Sequence, residues 1–462
     1  MSTAISYTYA YPFDSAVLEH SGRPAIRLVT SLEETSDDLF FDGHLRRPAL
    51  AGRCLSILAA IVRTRFFQQA PALVWTDPVV TSGGGMLRFE GFSSCCGVYA
   101  RVDLSPDAFD VELRGKGTTN VDFNDAMRTA LRRMNDEENA KLQVGGDGVT
   151  LIRGDEQVVE RKVKLPVRWV KGFCEVQAYQ PRMTPQLELS AAEARELFRS
   201  LPPVSNGYRP VHIARTGQKV RLASRPVRGS VQVRGVERVR VLEGLVPFAQ
   251  KLLIWYDEES QTSGWEFRFE IGRFFSLVSP ELNRGFSGEG QMLARLATAD
   301  WQQPLPAVAE SLNWQSQIEP GQLAMRFGCG ESSIEAALAV LGARGLVGYD
   351  LSTGRYFHRV LPFDVGKVES QQPRLKAARE LVASGTCRIV KQQNGETHLQ
   401  IPGSDVHHFV RLEAEGDRCS CRWCNRYRGQ RGPCKHILAA RLMVEGEESP
   451  LINTLCYDAT SE

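Results

Sequence analysis

The sequence predicts an α+β protein of several domains, and three observations support this prediction. The chain has 462 residues, which is more than one ordinary domain uses. Its composition, 42% hydrophobic and 24% charged, is typical of a globular protein. Segments with helical spacing of apolar residues and segments with alternating residues follow one another along the chain. We therefore expect four units, at residues 1–148, 149–280, 285–363 and 370–445.

Residues 1–148 have the mixed pattern of an α/β region. The apolar spacing predicts a helix over about Pro48–Gln68 and a second helix over about Asn124–Asn139. Strands are expected between them, around Ala72–Val80 and Met86–Phe92. A glycine-rich turn then marks the end of this region.

Residues 149–280 are predicted to be rich in β-strand. One helix is expected near Ser190–Ser200, where Ser190 is a suitable N-cap and Glu193 completes a capping box. Arginines crowd the stretch 208–240, which on alternating strands is typical of a solvated sheet face or, alternatively, of a face that tracks phosphates. Alternation predicts strands over Val158–Val170, Ser230–Leu242, Lys251–Tyr256 and Trp265–Phe275.

Residues 285–363 contain a helix, a tight turn, a second helix and a hairpin. The first helix is expected to end near Phe327 and the second near Arg344, with two short strands around the tip DLSTG. This order of elements resembles a winged helix-turn-helix. The first residues of the second helix include the acids Glu331 and Glu335. Acidic side chains at the start of this helix disfavour contact with DNA. We therefore expect a docking or structural module.

The C-terminal unit contains the most specific pattern in the chain. A helix over Pro373–Ser384 and three strands are expected before the stretch CSCRWCNRYRGQRGPCKH. Four ligands are offered by the pair Cys419 and Cys421 and, after twelve further residues, the pair Cys434 and His436. Because zinc binds four such sulfur and nitrogen ligands in a tetrahedron, the spacing predicts a structural zinc site.

The order C-x-C, variable loop, C-x-H, with strands before it and a helix after it, resembles the SWIM zinc finger over residues 373–443. The rest of the chain looks like the bacterial multidomain proteins that contain this finger. Such relatives often accompany MoxR-type AAA ATPases and von Willebrand A-domain proteins. The resemblance therefore implies a zinc-binding adaptor with protein partners of those two kinds.

Cys424 departs from the SWIM pattern because it adds a fifth sulfur inside the loop. With Cys421 it makes a C-x-x-C spacing, but a redox site needs a βαβ setting that the flanking residues do not suggest. Cys424 could also displace Cys419 or His436 as a ligand. We expect that it does not bind the metal.

No catalytic motif stands out in the sequence. Gly115–Thr118 lacks the upstream glycine of a P-loop, and spacing alone does not assemble the three-acid site of a transposase. Four protein ligands would also leave zinc without an open position for water. The sequence therefore predicts a protein that is not an enzyme, with a transposase-like or other enzymatic activity as the least favoured interpretation.

The loop between the two ligand pairs is basic and aromatic. Its arginines could bind phosphates, and its rings could stack on unpaired bases. Alternatively, the arginines balance the negative charge that three thiolates give to one zinc ion. The residues expected to contact a nucleic acid or a partner protein are Arg422, Trp423, Arg426, Tyr427, Arg428 and Arg431.

The remaining features concern location. The chain begins without a signal peptide and has no apolar run of about 18 residues, so we expect neither secretion nor a membrane span. Its 11 cysteines are an odd number and are mostly scattered, which is unlike a disulfide framework. We therefore expect a reducing, cytoplasmic compartment. A net charge of +2 indicates no particular partner.

Overall fold

The computed structural model describes residues 16–20, 23–27, 39–64, 66, 78–110, 115–154, 156–162, 165, 167–202, 210–217, 219–281, 285–288, 301–361, 373–393, 395–404, 406–413, 416–427 and 432–445. Helices and antiparallel sheets occur in similar amounts, 35% and 37%, which confirms the α+β prediction. Within these residues, no helix is long and apolar enough to cross a membrane.

The strands are distributed over the whole described chain. In order they are β1 (Ala16–His20), β2 (Arg23–Arg27), β3 (Leu39–His44), β4 (Val79–Gly83), β5 (Met86–Phe92), β6 (Val98–Leu104), β7 (Gly117–Asn120), β8 (Ala140–Gly145), β9 (Gly148–Arg153), β10 (Glu156–Arg161), β11 (Thr184–Ser190), β12 (Val211–Thr216), β13 (Lys219–Ala223), β14 (Val231–Val233), β15 (Lys251–Asp257), β16 (Thr262–Phe269), β17 (Gly272–Val278), β18 (Val347–Asp350), β19 (Arg355–His358), β20 (Arg388–Gln393), β21 (Glu396–Pro402), β22 (His407–Leu412) and β23 (Arg418–Cys419).

The helices lie between and after these strands. The α-helices are α1 (Pro48–Arg63), α2 (Asp125–Arg133), α3 (Val167–Tyr179), α4 (Ala191–Ser200), α5 (Val236–Val239), α6 (Leu305–Glu310), α7 (Pro320–Phe327), α8 (Glu331–Ala343), α9 (Pro373–Ala383), α10 (Arg422–Tyr427) and α11 (Lys435–Glu445). Short 3-10 helices cover Pro106–Ala108, Gln180–Arg182, Arg240–Phe248 and Gly285–Gly288.

An antiparallel sheet of eight strands forms the centre of the molecule, in the order β11-β15-β16-β17-β6-β5-β4-β7. Its middle is the pairing of β17 with β6, which runs from Gly272 opposite Leu104 to Val278 opposite Val98. One hydrogen-bonded sheet therefore continues across the boundary expected at residue 148. The flanking sheets are smaller, in the orders β10-β9-β8-β3, β13-β12-β14 and β20-β21-β22-β23, with hairpins β1-β2 and β18-β19.

The two faces of the central sheet differ in chemistry. One face is apolar and packs against α1, where a Cβ on Gly91 would meet Val62 at 2.7 Å. The opposite face carries charged residues of β5, β6 and β17, and α3 and the hairpin β18-β19 cover it. Both faces are buried, so alternation along these strands separates apolar from ionic residues rather than core from solvent.

The ionic face holds a network of buried salt bridges. Arg101 Nε lies 3.0 Å from Asp103 Oδ1, and Arg101 Nη2 lies 3.0 Å from Asp350 Oδ1 on the hairpin. Arg273 bonds to both of these aspartates, with 2.7 Å from its Nε to Asp103 Oδ2. Burial opposes ionisation of Asp103, but the nearby arginine charges outweigh it, so the pKa of Asp103 lies below its ordinary value. The network joins the hairpin to the sheet.

Several predicted elements are confirmed. Helix α2 begins after the N-cap Asn124, whose side chain accepts from the Met127 N–H, and it ends at Arg133 rather than at the expected Asn139. Ser190 and Glu193 form the expected capping box before α4. The two helices and the hairpin expected in the third unit are present as α7, α8 and β18-β19. A bridge between Ile318 and Tyr356 adds a third extended segment to the hairpin.

Other expectations were wrong in part. The strand expected over Val158–Val170 ends at Arg161, because the residues from Val167 form α3. The strand expected over Ser230–Leu242 is limited to β14, and helical turns follow it. Here a tertiary contact overrides alternation, because Arg238 is 1% exposed and donates to the carbonyls of Gly97 and Ser279.

Two further segments differ from the expected pattern. The strand expected over Trp265–Phe275 is divided into β16 and β17 by a turn, so the segment supplies two strands of the central sheet. The strand expected over Ala72–Val80 appears only as β4, since residues 72–77 lie outside the described ones. Helix α1 ends at Arg63, and Gln68 also lies outside them.

Candidate metal centre

The C-terminal sheet and two helices position four candidate ligands. Strand β23 carries Cys419 opposite Val410 of β22, and Cys421 lies two residues further along the chain. Cys434 precedes α11, and His436 lies in the first turn of that helix. Helices α9 and α11 pack together, and α11 also packs on β21 and β22. The two ligand pairs are therefore held by one short strand and one helix start.

The structure brings these four residues together. One ligand atom from each of Cys419, Cys421, Cys434 and His436 lies within 4.8 Å of the others, and all four residues are buried. Nδ1 of His436 is 3.8 Å from the sulfurs of Cys419 and Cys434. In a zinc tetrahedron the ligand atoms are separated by about 3.5–3.8 Å. The distances and the donor chemistry therefore fit zinc.

Backbone hydrogen bonds favour ionised sulfur at this centre. The N–H of Cys421 donates to Sγ of Cys419 at 3.4 Å, and the N–H of Ile437 donates to Sγ of Cys434 at 3.4 Å. The start of α11 adds the partial positive charge of a helix N-terminus. These groups stabilise thiolates, which are the form that binds a metal.

His436 is oriented with Nδ1 towards the sulfurs. Its Nε2 is buried and has no hydrogen-bond partner among the residues that the structure describes. The ring of His408 lies beside it, with 4.4 Å between ring centroids. Nδ1 is therefore the nitrogen that would bind zinc, and His408 helps to fix the ring plane.

Cys424 lies next to the four ligands but outside their set. The side chains of Cys419 and Cys434 contact its sulfur. The residue is only half buried on α10. The fifth sulfur is thus near enough to influence the centre, whereas the four atoms that fit one ion are those of the expected ligands.

Residues 408–444 match the SWIM zinc finger family. This segment is a SWIM zinc finger. The match covers the C-terminal finger and not the rest of the chain. The finger and its Cys/His cluster support zinc as the cofactor, with Cys419, Cys421, Cys434 and His436 as the residues that would hold it.

No curated protein matches the chain in sequence. Among solved structures, the proliferating cellular nuclear antigen from Entamoeba histolytica matches 53% of this chain over 99% of its own length, with 13% identity and a TM-score of 0.36. A likeness of that size supports no structural argument.

The expected contact residues of the SWIM loop divide into three groups. Arg422 and Arg426 on α10 are exposed. Trp423 and Tyr427 are half buried, and their ring centroids are 4.6 Å apart. Arg428 and Arg431 lie outside the described residues.

Trp423 is occupied by contacts within the finger. The guanidinium of Arg374 lies 4.8 Å from the centroid of the Trp423 ring, and the indole Nε1 donates to the carbonyl of Gly432 at 3.4 Å. Arg374 itself donates to the carbonyl of Pro433 at 2.8 Å. These contacts connect α9, α10 and the second ligand pair, so Trp423 has a structural position that the sequence pattern did not indicate.

The outer face of the finger's sheet, which is the side turned away from α11, was not among the predicted sites. Phe409 lies there and is 63% exposed. The alternation in HHFVRL carried the signal, because a buried Val410 requires both Phe409 and Arg411 to point the other way.

Proposed function

We propose that the protein is a non-catalytic adaptor whose SWIM finger recognises a partner. The observation that supports this proposal is the closed ligand set at the metal centre. Four buried protein ligands complete the coordination of zinc, which leaves no position for a catalytic water. Zinc would then supply folding energy to a segment that has few apolar residues of its own.

The third unit would act in this adaptor as a structural module with the winged-helix arrangement. Its hairpin is fixed to the central sheet, since the carbonyl of Tyr349 and the carboxylate of Asp350 both accept from Arg101. A wing held in this way is not free to follow DNA. The exposed acids Glu331 and Glu335 at the start of α8 are also unsuited to a DNA groove.

The open edge of the finger is the proposed site for a partner protein. Strand β20 ends the sheet, and all six of its residues are exposed. Ile389 is 45% exposed and Val390 is 60% exposed, and no other described strand pairs with the outer side of β20, so this edge presents apolar side chains beside open backbone groups. The family resemblance supports a MoxR-type AAA ATPase and a von Willebrand A-domain protein as partners, in the cytoplasm.

Co-purification tests this function directly. Tagged full-length protein, isolated from native cells, is expected to co-purify with an AAA ATPase or a von Willebrand A-domain protein. Mass spectrometry identifies the co-purified proteins. The double variant Ile389→Ser, Val390→Ser should lose that partner, whereas Met325→Ser, which removes an 80% exposed side chain on α7, should keep it. Partners that stay bound to the double variant would exclude β20 as the site.

A second candidate function is nucleic-acid binding by the SWIM loop, and the exposure of Arg422 and Arg426 supports it. Gel-shift titration at two salt concentrations measures this binding, because phosphate contacts weaken as salt rises. Replacing both arginines with serine should remove the shift while zinc content stays unchanged. Reduced zinc affinity with an unchanged shift would instead indicate that these arginines balance the charge of the metal centre.

A further inference from the structure

The outer face of the finger's sheet is the side turned away from α11 and the metal ligands. Leu399 and Val410 point inward and are buried, so their neighbours Gln400, Phe409 and Arg411 point outward. Phe409 lies on β22, which has a strand on each side of it. An aromatic ring that is 63% exposed on an inner strand contributes little to the core and is available to a ligand.

Basic side chains surround Phe409 on this side. Gln400 of β21 pairs with Arg388 of β20 on one side and with Phe409 of β22 on the other, so these three residues form one row across the sheet. The next row across the sheet consists of Lys391, His398, Arg411 and Arg418. We call this surface the basic face, and it consists of Arg388, Lys391, His398, Phe409, Arg411 and Arg418.

Few acids offset the charge of the basic face. Glu396 lies 3.2 Å from Arg411 and 3.5 Å from His398, and Glu413 also pairs with Arg411. Within the part of the chain that the structure describes, Arg388, Lys391 and Arg418 have no salt-bridge partner. Three cations therefore remain available to an anionic ligand.

We propose that the basic face binds single-stranded nucleic acid. The cations would contact phosphates, and one unpaired base would stack on Phe409. A duplex offers no unpaired base for the ring, and an acidic peptide offers charge without a planar group to stack. Four strands span about 15 Å, which suits about two or three nucleotides on a sheet of this size.

This site is distinct from the two candidates of the proposed function. It uses the face of the sheet, whereas the adaptor proposal uses the β20 edge and the loop proposal uses α10. Failure of one of them therefore leaves the others testable by their own variants.

Fluorescence anisotropy with a short fluorescein-labelled oligothymidylate tests the proposal on full-length, zinc-loaded protein. The wild type should bind, and Phe409→Ser should weaken binding by about 5- to 150-fold through loss of one stacked base. Phe409→Tyr should keep the affinity because it keeps a flat ring. Val406→Ser removes a side chain that is 60% exposed on the same finger and should change nothing. Equal zinc content in all variants shows that the finger is folded.

The charge contribution is measured from the salt dependence. Arg388→Gln combined with Arg418→Gln should make the slope of log affinity against log salt shallower by about 1.4, or about 0.7 for each lost phosphate contact. Arg132→Gln combined with Arg133→Gln on α2 is the matched control, because it removes two exposed charges outside the finger and should leave both affinity and slope unchanged. Arg422→Ser combined with Arg426→Ser, the loop variant, tests the second candidate function with the same probe.

Four results would overturn the proposal. They are no binding by the wild type, normal binding by Phe409→Ser, loss of binding in the loop variant alone, and a duplex or polyglutamate that binds as tightly as the oligothymidylate. Tight polyglutamate binding would assign the face to an acidic protein segment.

Discussion

The central sheet and the SWIM finger show two ways of ordering a chain. The sheet has an apolar face and an ionic face, both buried, and its strands reach from β4 to β17 across a long stretch of sequence. The finger has a small core, an outer face open to solvent and a metal centre made of two short ligand pairs. Burial can stabilise the first region, whereas the second depends on a bound ion. The two regions should therefore respond to different perturbations.

Loss of a zinc ligand should have the largest effect, and it should be confined to the finger. Cys434→Ser or His436→Ala is expected to abolish metal binding worth about 10–16 kcal/mol, so the finger should unfold while the central sheet stays intact. Metal analysis and limited proteolysis measure this outcome. Cys424→Ser is the control and should retain one zinc ion per chain. Loss of zinc in the control, with zinc retained in His436→Ala, would change the ligand assignment.

Breaking the ionic network should have the next largest effect, in the other region. Asp350→Ala leaves Arg101 and Arg273 buried without one of their two carboxylate partners, which is expected to cost about 3–5 kcal/mol. Urea unfolding followed by tryptophan fluorescence measures the free energy of unfolding. Glu319→Ala is the matched control, because its salt bridge with Arg355 is partly exposed and should contribute about 0–1 kcal/mol. Equal effects of the two substitutions would argue against a stabilising network.

The smallest expected effect is a pH dependence of opposite sign in the finger and in the flanking sheet β10-β9-β8-β3, where Glu160 lies on β10. Burial raises the pKa of Glu160 from 4.5 to about 7, although the N–H of Asn124 donates to its carboxylate. A raised pKa means that the folded state binds more protons, so this contribution to stability is present below pH 4.5 and is lost as pH rises towards 7. The finger should behave oppositely, since acid protonates the thiolates that hold zinc.

Glu160→Gln isolates the first of these two trends. The variant should lose the decline in unfolding free energy between pH 4.5 and about 7, while zinc release at low pH stays the same. Unfolding curves and metal analysis across this range test both statements. An unchanged decline in the variant would assign the dependence to another group.

Sequence patterns predicted the Cys/His cluster that fits zinc, because a zinc site is nearly local. Two residues from each of two short turns suffice, and their spacing is visible without knowledge of the fold. The capping box of Ser190 and the start of α2 near Asn124 were predictable for the same reason.

Features that depend on distant residues could not be predicted in this way. Asp350 belongs to the segment DLSTG, expected to be the tip of a hairpin, and it is buried because Arg101 and Arg273 lie opposite it on the central sheet. Arg238 was part of a basic run typical of solvated strands, and it is buried by the carbonyls that it binds. No local pattern distinguishes such arginines from exposed ones.

The junction of β6 with β17 has a consequence for synthesis of the chain. These strands pair only after the ribosome has released the segment up to Val278, although β6 is complete at Leu104. Until then the edge of β6 has no hydrogen-bonding partner and is open to strands of other nascent chains. A fragment that ends at the boundary expected from sequence would keep that open edge permanently. A fragment that keeps the central sheet intact must therefore contain all strands from β4 through β17, together with α1 and the hairpin β18-β19, which cover its two faces.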